Sequence, residues 1–116
     1  MSDSTLDKAR REINEIDKKM AELFIQRMHA VKEVAKYKMD RGLNVLDSKR
    51  ESEVISRNAS LVEDDTLREF YVEFIKSNMS ISRAYQERLM NCLKVANLGT
   101  ESDYTSSKNN PSAEKN

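Results

Sequence analysis

The chain has 116 residues with 20 basic and 20 acidic side chains, so its length gives room for one small domain and its net charge is zero. A neutral total argues against a nucleic-acid binder, and no apolar run approaches the roughly 18 residues of a membrane span. The N-terminus lacks the apolar stretch of a secretory signal, and one Cys with one His makes a poor metal site. We therefore expect a cytoplasmic protein without metal, membrane or nucleic-acid partners.

Helices should dominate the fold, because the residues that interrupt helices are nearly absent. Proline occurs only at Pro111, and glycine only at Gly42 and Gly99. The first predicted helix runs from Leu6 to about Met39 and ends at a glycine stop around Gly42. Apolar residues recur along it every three or four positions, as one helical stripe: Ile13, Ile16, Met20, Leu23, Val31 and Val34.

A second, shorter helix is predicted after the loop that follows the glycine stop. It begins at Asp47 or Ser48 and weakens at 58–60. Ser48 and Glu51 have the spacing of a capping box, in which each side chain bonds to the other's backbone.

The third predicted helix starts with an N-cap among residues 64–66 and runs to about Asn97. The apolar residues that indicate this helix are Phe70, Phe74, Ile75, Met79, Leu89 and Leu93. Two polar residues, Ser82 and Gln86, lie on the stripe that the last four of these share. The fold class is therefore all-α, with three helices in a domain of residues 1–97. Residues 98–116 are rich in Ser, Thr, Asn, Lys and Glu, and we expect a disordered polar tail there.

The first helix is too long for a single small domain. About 34 residues at about 1.5 Å each give about 50 Å, whereas a globule of about 95 residues has a radius of gyration near 12 Å. The apolar stripe continues through the overhanging part, and a second copy of the chain is the simplest way to bury it. We therefore predict an intertwined two-fold helical homodimer.

Two cations interrupt the apolar stripe of the first helix. Arg27 lies four residues after Leu23, and Lys38 lies four residues after Val34. An unpaired buried cation is costly, so each must extend to solvent, pair with a carboxylate, or face a cavity that receives an anion.

Other polar residues also need an explanation. Asp47, Arg50 and Glu51 crowd the start of the second helix, where a cap with an exposed ion pair would account for them. Ser82 and Gln86 lie one turn apart on an apolar stripe, where they could specify the core or line a site.

Taken in order, these residues resemble the all-helical chorismate mutase family over nearly all of residues 6–93. The resemblance rests on five motifs: Arg10-x-x-Ile13-x-x-Ile16-Asp17, Leu23-x-x-x-Arg27, Val34-x-x-x-Lys38, Asp47-x-x-Arg50-Glu51 and Ser82-x-x-x-Gln86. The chain departs from the pattern at Asn44, where members often carry proline, and this concerns only the stiffness of the loop.

The resemblance implies an enzyme that converts chorismate to prephenate by a Claisen rearrangement, toward phenylalanine and tyrosine, without cofactor or metal. It also implies an intertwined dimer with two active sites. Arg27 and Arg10 of the partner subunit would bind the two carboxylates of chorismate, with Ser82 assisting. Lys38 and Gln86 would donate to the ether oxygen.

The remaining implied site residues lie at the start of the second helix. Glu51 and the backbone near Asp47 would hold the ring hydroxyl, and Arg50 would complete the polar network. The alternative from a different class is a non-enzymatic helical interaction module, in which buried polar residues only set the register of association.

Overall fold

The computed structural model describes residues 2–101, with side-chain burial described for residues 4–96. Its regular elements are the helices α1 (Ser2–Asp40), α2 (Ser48–Ser60) and α3 (Asp65–Glu101). No strand occurs within residues 2–101, so the predicted all-α class with three helices is confirmed. Helix α3 continues past the expected end to Glu101, and the rest of the expected tail lies outside the described residues.

The end of α1 follows from a local pattern around Gly42. This glycine has a φ of 65°, in the left-handed region that a residue without a Cβ adopts at no steric cost. The Leu43 N–H donates to the Lys38 carbonyl at 2.8 Å, and the Gly42 N–H donates to the Met39 carbonyl at 3.2 Å. These bonds satisfy carbonyls of the last turn in a Schellman motif. The predicted glycine stop is confirmed.

Helix α2 begins at an aspartate cap. The Asp47 carboxylate accepts from the backbone N–H of Arg50 at 3.1 Å. The predicted start at Asp47 is therefore right, and the alternative capping box at Ser48 is wrong. A capping box at Ser48 would require the Ser48 hydroxyl to accept a hydrogen bond from the Glu51 N–H. That N–H instead donates to the Asp47 carbonyl at 3.0 Å.

The N-cap of α3, predicted among residues 64–66, is Asp64. Its Oδ1 accepts from the Thr66 hydroxyl at 2.6 Å and from the Thr66 N–H at 2.9 Å. These two hydrogen bonds lower the pKa of Asp64 below its ordinary value, because both favour the ionised carboxylate. The bond from the Thr66 hydroxyl has the larger effect and the bond from the Thr66 N–H the smaller.

The chain divides into two compact units, and the described residues of the first, Met1–Val31, belong to α1. Its side chains are exposed without exception from Ser4 to Gln26. Four residues of the predicted apolar stripe are among them, Ile13, Ile16, Met20 and Leu23, with Leu23 exposed to 61% and Ile13 to 54%. The stripe is therefore present, and the described residues of this unit do not bury it.

The second unit, Lys32–Asn116, contains the end of α1 together with α2 and α3. Helices α2 and α3 pack against each other. Among the described residues, three apolar side chains are buried, Ala35, Ile75 and Met79. Two polar side chains, Ser82 and Gln86, are buried with them. None of the helices within the described residues has an apolar stretch long enough to cross a membrane.

The predicted stripe of α3 is only partly right. Ile75 and Met79 are buried at 6% exposure, whereas Leu93 is exposed to 41%. Phe70 and Phe74, earlier in the same helix, are exposed to 69% and 53%. The buried face follows the spacing of residues 75, 79, 82 and 86. Phe74 lies about 100° around the helix from Ile75, so it points away from that face.

Candidate active site

Lys38, in the last turn of α1, bridges to a loop and to another helix. Its Nζ donates to the Val45 carbonyl at 2.6 Å and to Oε1 of Gln86 on α3 at 3.2 Å. Lys38 was expected to extend to solvent, to pair with a carboxylate or to face an anion-binding cavity. No carboxylate among the described residues pairs with it, so the second of these outcomes is excluded within the described part of its own chain. An ammonium has three N–H donors, and one therefore remains for another acceptor.

Gln86 is buried at 6% exposure, and its orientation is dictated by Lys38. An ammonium group can only donate, so the amide must turn its oxygen toward Lys38. The amide nitrogen has no acceptor among the described residues. Buried amide groups normally form hydrogen bonds, and this nitrogen is therefore available to an acceptor from outside the chain. Lys38 and Gln86 together can bind one oxygen atom.

Glu51, in the first turn of α2, forms an ion pair with Arg83 of α3. The Nη1 atom of Arg83 lies 2.6 Å from both carboxylate oxygens, and the side chains of Arg83 and Glu51 are 34% and 24% exposed. The interpretation of Glu51 as part of a cap with an exposed ion pair is therefore wrong. Its partner lies on a different helix, because α2 packs on α3 and brings the two charges together.

Arg83 and the Val45 carbonyl were not predicted. Arg83 lies four residues after Met79 and three before Gln86, which places it at the edge of the buried stripe, and that spacing could have identified it. A backbone carbonyl carries no comparable signal, since every residue has one.

The other predicted residues of this unit make local contacts. The buried Ser82 donates from its hydroxyl to the Asn78 carbonyl, one turn earlier, at 3.0 Å. Asp47 is exposed and caps α2. Arg50 is exposed, with Nη1 4.0 Å from a Glu53 oxygen, so the interpretation as an exposed ion pair applies to this residue.

The two arginines predicted to bind carboxylates lie on the part of α1 that belongs to the first unit. Arg10 is exposed and Arg27 is partly buried. Their roles at the substrate carboxylates remain predictions. Within the described residues, no group of three or more His, Cys, Asp or Glu side chains could hold a metal ion.

Comparison with known proteins identifies one family. The family model for chorismate mutase type II matches residues 9–87, which is well over half of the chain. The match includes every predicted site residue, from Arg10 to Gln86. No curated protein and no solved structure gave a significant match.

Proposed function

The chain belongs to the chorismate mutase type II family, and we propose that Lys38, Gln86 and Glu51 form the catalytic part of its active site. The enzyme is an isomerase that acts on chorismate, and the family match favours this function over the helical interaction module. The observation that carries the proposed site is the hydrogen bond from Lys38 to Gln86. Together with the bond from Lys38 to the Val45 carbonyl, it leaves one N–H of Lys38 and both N–H groups of the Gln86 amide for a ligand.

The rearrangement of chorismate breaks an ether C–O bond while a C–C bond forms within the same molecule. It needs no nucleophile and no general base. A protein can accelerate it by holding the reactive conformation and by directing donors at the ether oxygen, where negative charge grows. Lys38 and Gln86 are suited to this task, because both offer N–H groups and their mutual hydrogen bond fixes the amide before the substrate binds.

The ring hydroxyl of chorismate requires an acceptor, and we assign this role to Glu51. Its carboxylate is partly exposed, so a ligand can reach it. An ionised carboxylate accepts through about four lone-pair positions, and the pairing with Arg83 leaves some of them unused. The backbone near Asp47 and the side chain of Arg50 complete the polar surroundings in this proposal.

The two carboxylates of chorismate require cations. We propose that Arg27 binds one and that Arg10 of the partner subunit binds the other, each by paired hydrogen bonds, with Ser82 assisting. An arginine from the partner requires an intertwined homodimer. The exposed apolar stripe of the first unit supports such a dimer, since Ile13, Ile16 and Leu23 are each more than half exposed in one chain. Cys92 is an exposed free thiol, which fits the cytoplasmic location that we propose.

The experiment that tests the function follows the ultraviolet absorbance of chorismate after addition of the purified chain. We expect absorbance to fall at a rate proportional to the enzyme concentration, with prephenate as the product and without added metal or cofactor. An unchanged absorbance would contradict the function. Sedimentation equilibrium tests the dimer, which should have twice the chain mass of 13.4 kDa.

A further inference from the structure

Two neighbouring polar interactions connect the helices of the second unit. Lys38 bonds to Gln86, and Glu51 pairs with Arg83. Because Arg83 and Gln86 are three residues apart on α3, they are neighbours on the helix surface. The charge of Arg83 therefore lies beside the proposed site.

The geometry of the ion pair restricts Glu51 more than an ordinary surface contact would. One guanidinium nitrogen lies 2.6 Å from both carboxylate oxygens, so it lies between them and opposes rotation of the carboxylate. The pair links two helices and is only 34% and 24% exposed at its two side chains. By contrast, the ion pairs Lys36–Glu33 and Lys76–Glu73 each lie within one helix, with side chains more than half exposed.

We propose that Arg83 is a positioning residue, which orients the Glu51 carboxylate so that its remaining lone pairs receive the ring hydroxyl of chorismate. The inference rests on the proposed function of Glu51. It assigns to Arg83 an effect that passes entirely through Glu51, without contact between Arg83 and the substrate. A positioned acceptor needs no reorganisation when the substrate binds, which is the general advantage of a fixed site.

A double-mutant cycle tests this route of action. Chorismate turnover is measured for the wild type, Arg83→Gln, Glu51→Gln and the double variant. We expect Arg83→Gln alone to lower kcat/KM by about tenfold or more, because a misplaced acceptor costs binding in the reactive geometry. In the Glu51→Gln background, the same change should alter kcat/KM by less than about twofold.

Two results would overturn the inference while leaving the proposed function intact. If the effect of Arg83→Gln is the same with and without the Glu51 carboxylate, Arg83 does not act through it. If the effect grows in the Glu51→Gln background, Arg83 contacts the substrate itself. A wild-type chain that does not rearrange chorismate would overturn the proposed function and this inference together.

Thermal unfolding separates positioning from a general loss of structure. The control is Lys76→Gln, which breaks an exposed ion pair on the same helix and should leave turnover unchanged. If Arg83→Gln does not fold, Arg83→Lys replaces it in the cycle. Lysine keeps the charge but is a point donor and cannot reproduce the planar guanidinium contact. We expect a smaller loss of kcat/KM that likewise vanishes without the Glu51 carboxylate, and a loss that persists there would refute the inference.

Discussion

The two units of the chain use polar and apolar side chains in opposite ways. In the first unit Ile13, Ile16 and Leu23 are more than half exposed, although their spacing is that of a core face. In the second unit, the polar residues Ser82 and Gln86 are buried to the same 6% exposure as Ile75 and Met79.

The difference shows where each unit finds its partners. Buried polar groups must be hydrogen-bonded, and both Ser82 and Gln86 have partners within the second unit. Exposed apolar side chains lack such partners, and fully burying one of this size is worth about 1.5 to 3 kcal/mol. The second unit is therefore stabilised by contacts within the chain, whereas the apolar side chains of the first unit are exposed and could stabilise it only by packing against a partner.

The largest expected effect is that of Lys38→Ala in the second unit. The change removes one donor to the ether oxygen and also releases the Gln86 amide that Lys38 orients. Removing one such donor typically lowers kcat by about a hundredfold to a thousandfold, and we expect a loss of this size. Chorismate turnover measures it, and circular dichroism checks that the helices remain.

Lys36→Ala is the matched control, two residues away on α1. Lys36 is 54% exposed, and its ion-pair partner among the described residues is Glu33 of the same helix, at 3.6 Å. Surface pairs of this kind contribute little, so turnover should be unchanged. Equal activity of the Lys38 and Lys36 variants would refute the role of Lys38.

Mixing two inactive variants tests whether the two units of different chains cooperate. Arg10→Ala alters the first unit and Lys38→Ala the second, and each should be inactive alone. If Arg10 acts across the dimer, an equal mixture refolded together should recover about a quarter of the wild-type sites, because half of the dimers are mixed and each has one intact site. No recovery would indicate that Arg10 serves its own chain or serves no site.

A smaller change in kcat/KM is expected for Gln86→Glu, which tests whether the buried amide donates to the substrate. An amide donates its N–H at any ordinary pH, whereas a carboxyl group donates only when protonated. The variant should therefore gain kcat/KM as the pH falls, by up to about tenfold per pH unit, while the wild type stays flat. Gln26→Glu, at an exposed position of the first unit, should keep the flat profile. An unchanged profile for Gln86→Glu would count against this residue as the donor.

The smallest effect is expected at Asp64, which caps α3 away from the proposed chemistry. Asp64→Ala should lower the Tm by a few degrees at neutral pH without changing turnover. The folded-state pKa of Asp64 is lowered, so its contribution is present above its ordinary value of 3.8 and is lost as the pH falls through the lowered pKa. The Tm difference should therefore narrow in acid. Asp64→Asn, which can still cap, should stay closer to the wild type at neutral pH.

Much of the candidate site could be predicted from the sequence because its residues interrupt apolar stripes. Lys38 and Gln86 both stand out in this way, and the structure brings them to 3.2 Å. Arg83 stands at the edge of its stripe and was missed. For Glu51, local spacing suggests only a cap with an exposed ion pair, since nothing in its neighbouring sequence indicates a partner 32 residues away. Its predicted place in the site came from the family resemblance.

The sequence by itself determined the three helices and the glycine stop at Gly42, and it limited the helix caps to Asp47 or Ser48 and to residues 64–66, among which the structure selects Asp47 and Asp64. These features depend on backbone preferences and on hydrogen bonds between residues close in the chain. Only the tertiary structure decided that Glu51 pairs with Arg83 and that Lys38 fixes the amide of Gln86, across 32 and 48 residues. Such pairs depend on how the helices pack and which faces meet, and the spacing of residues along one helix does not contain that information.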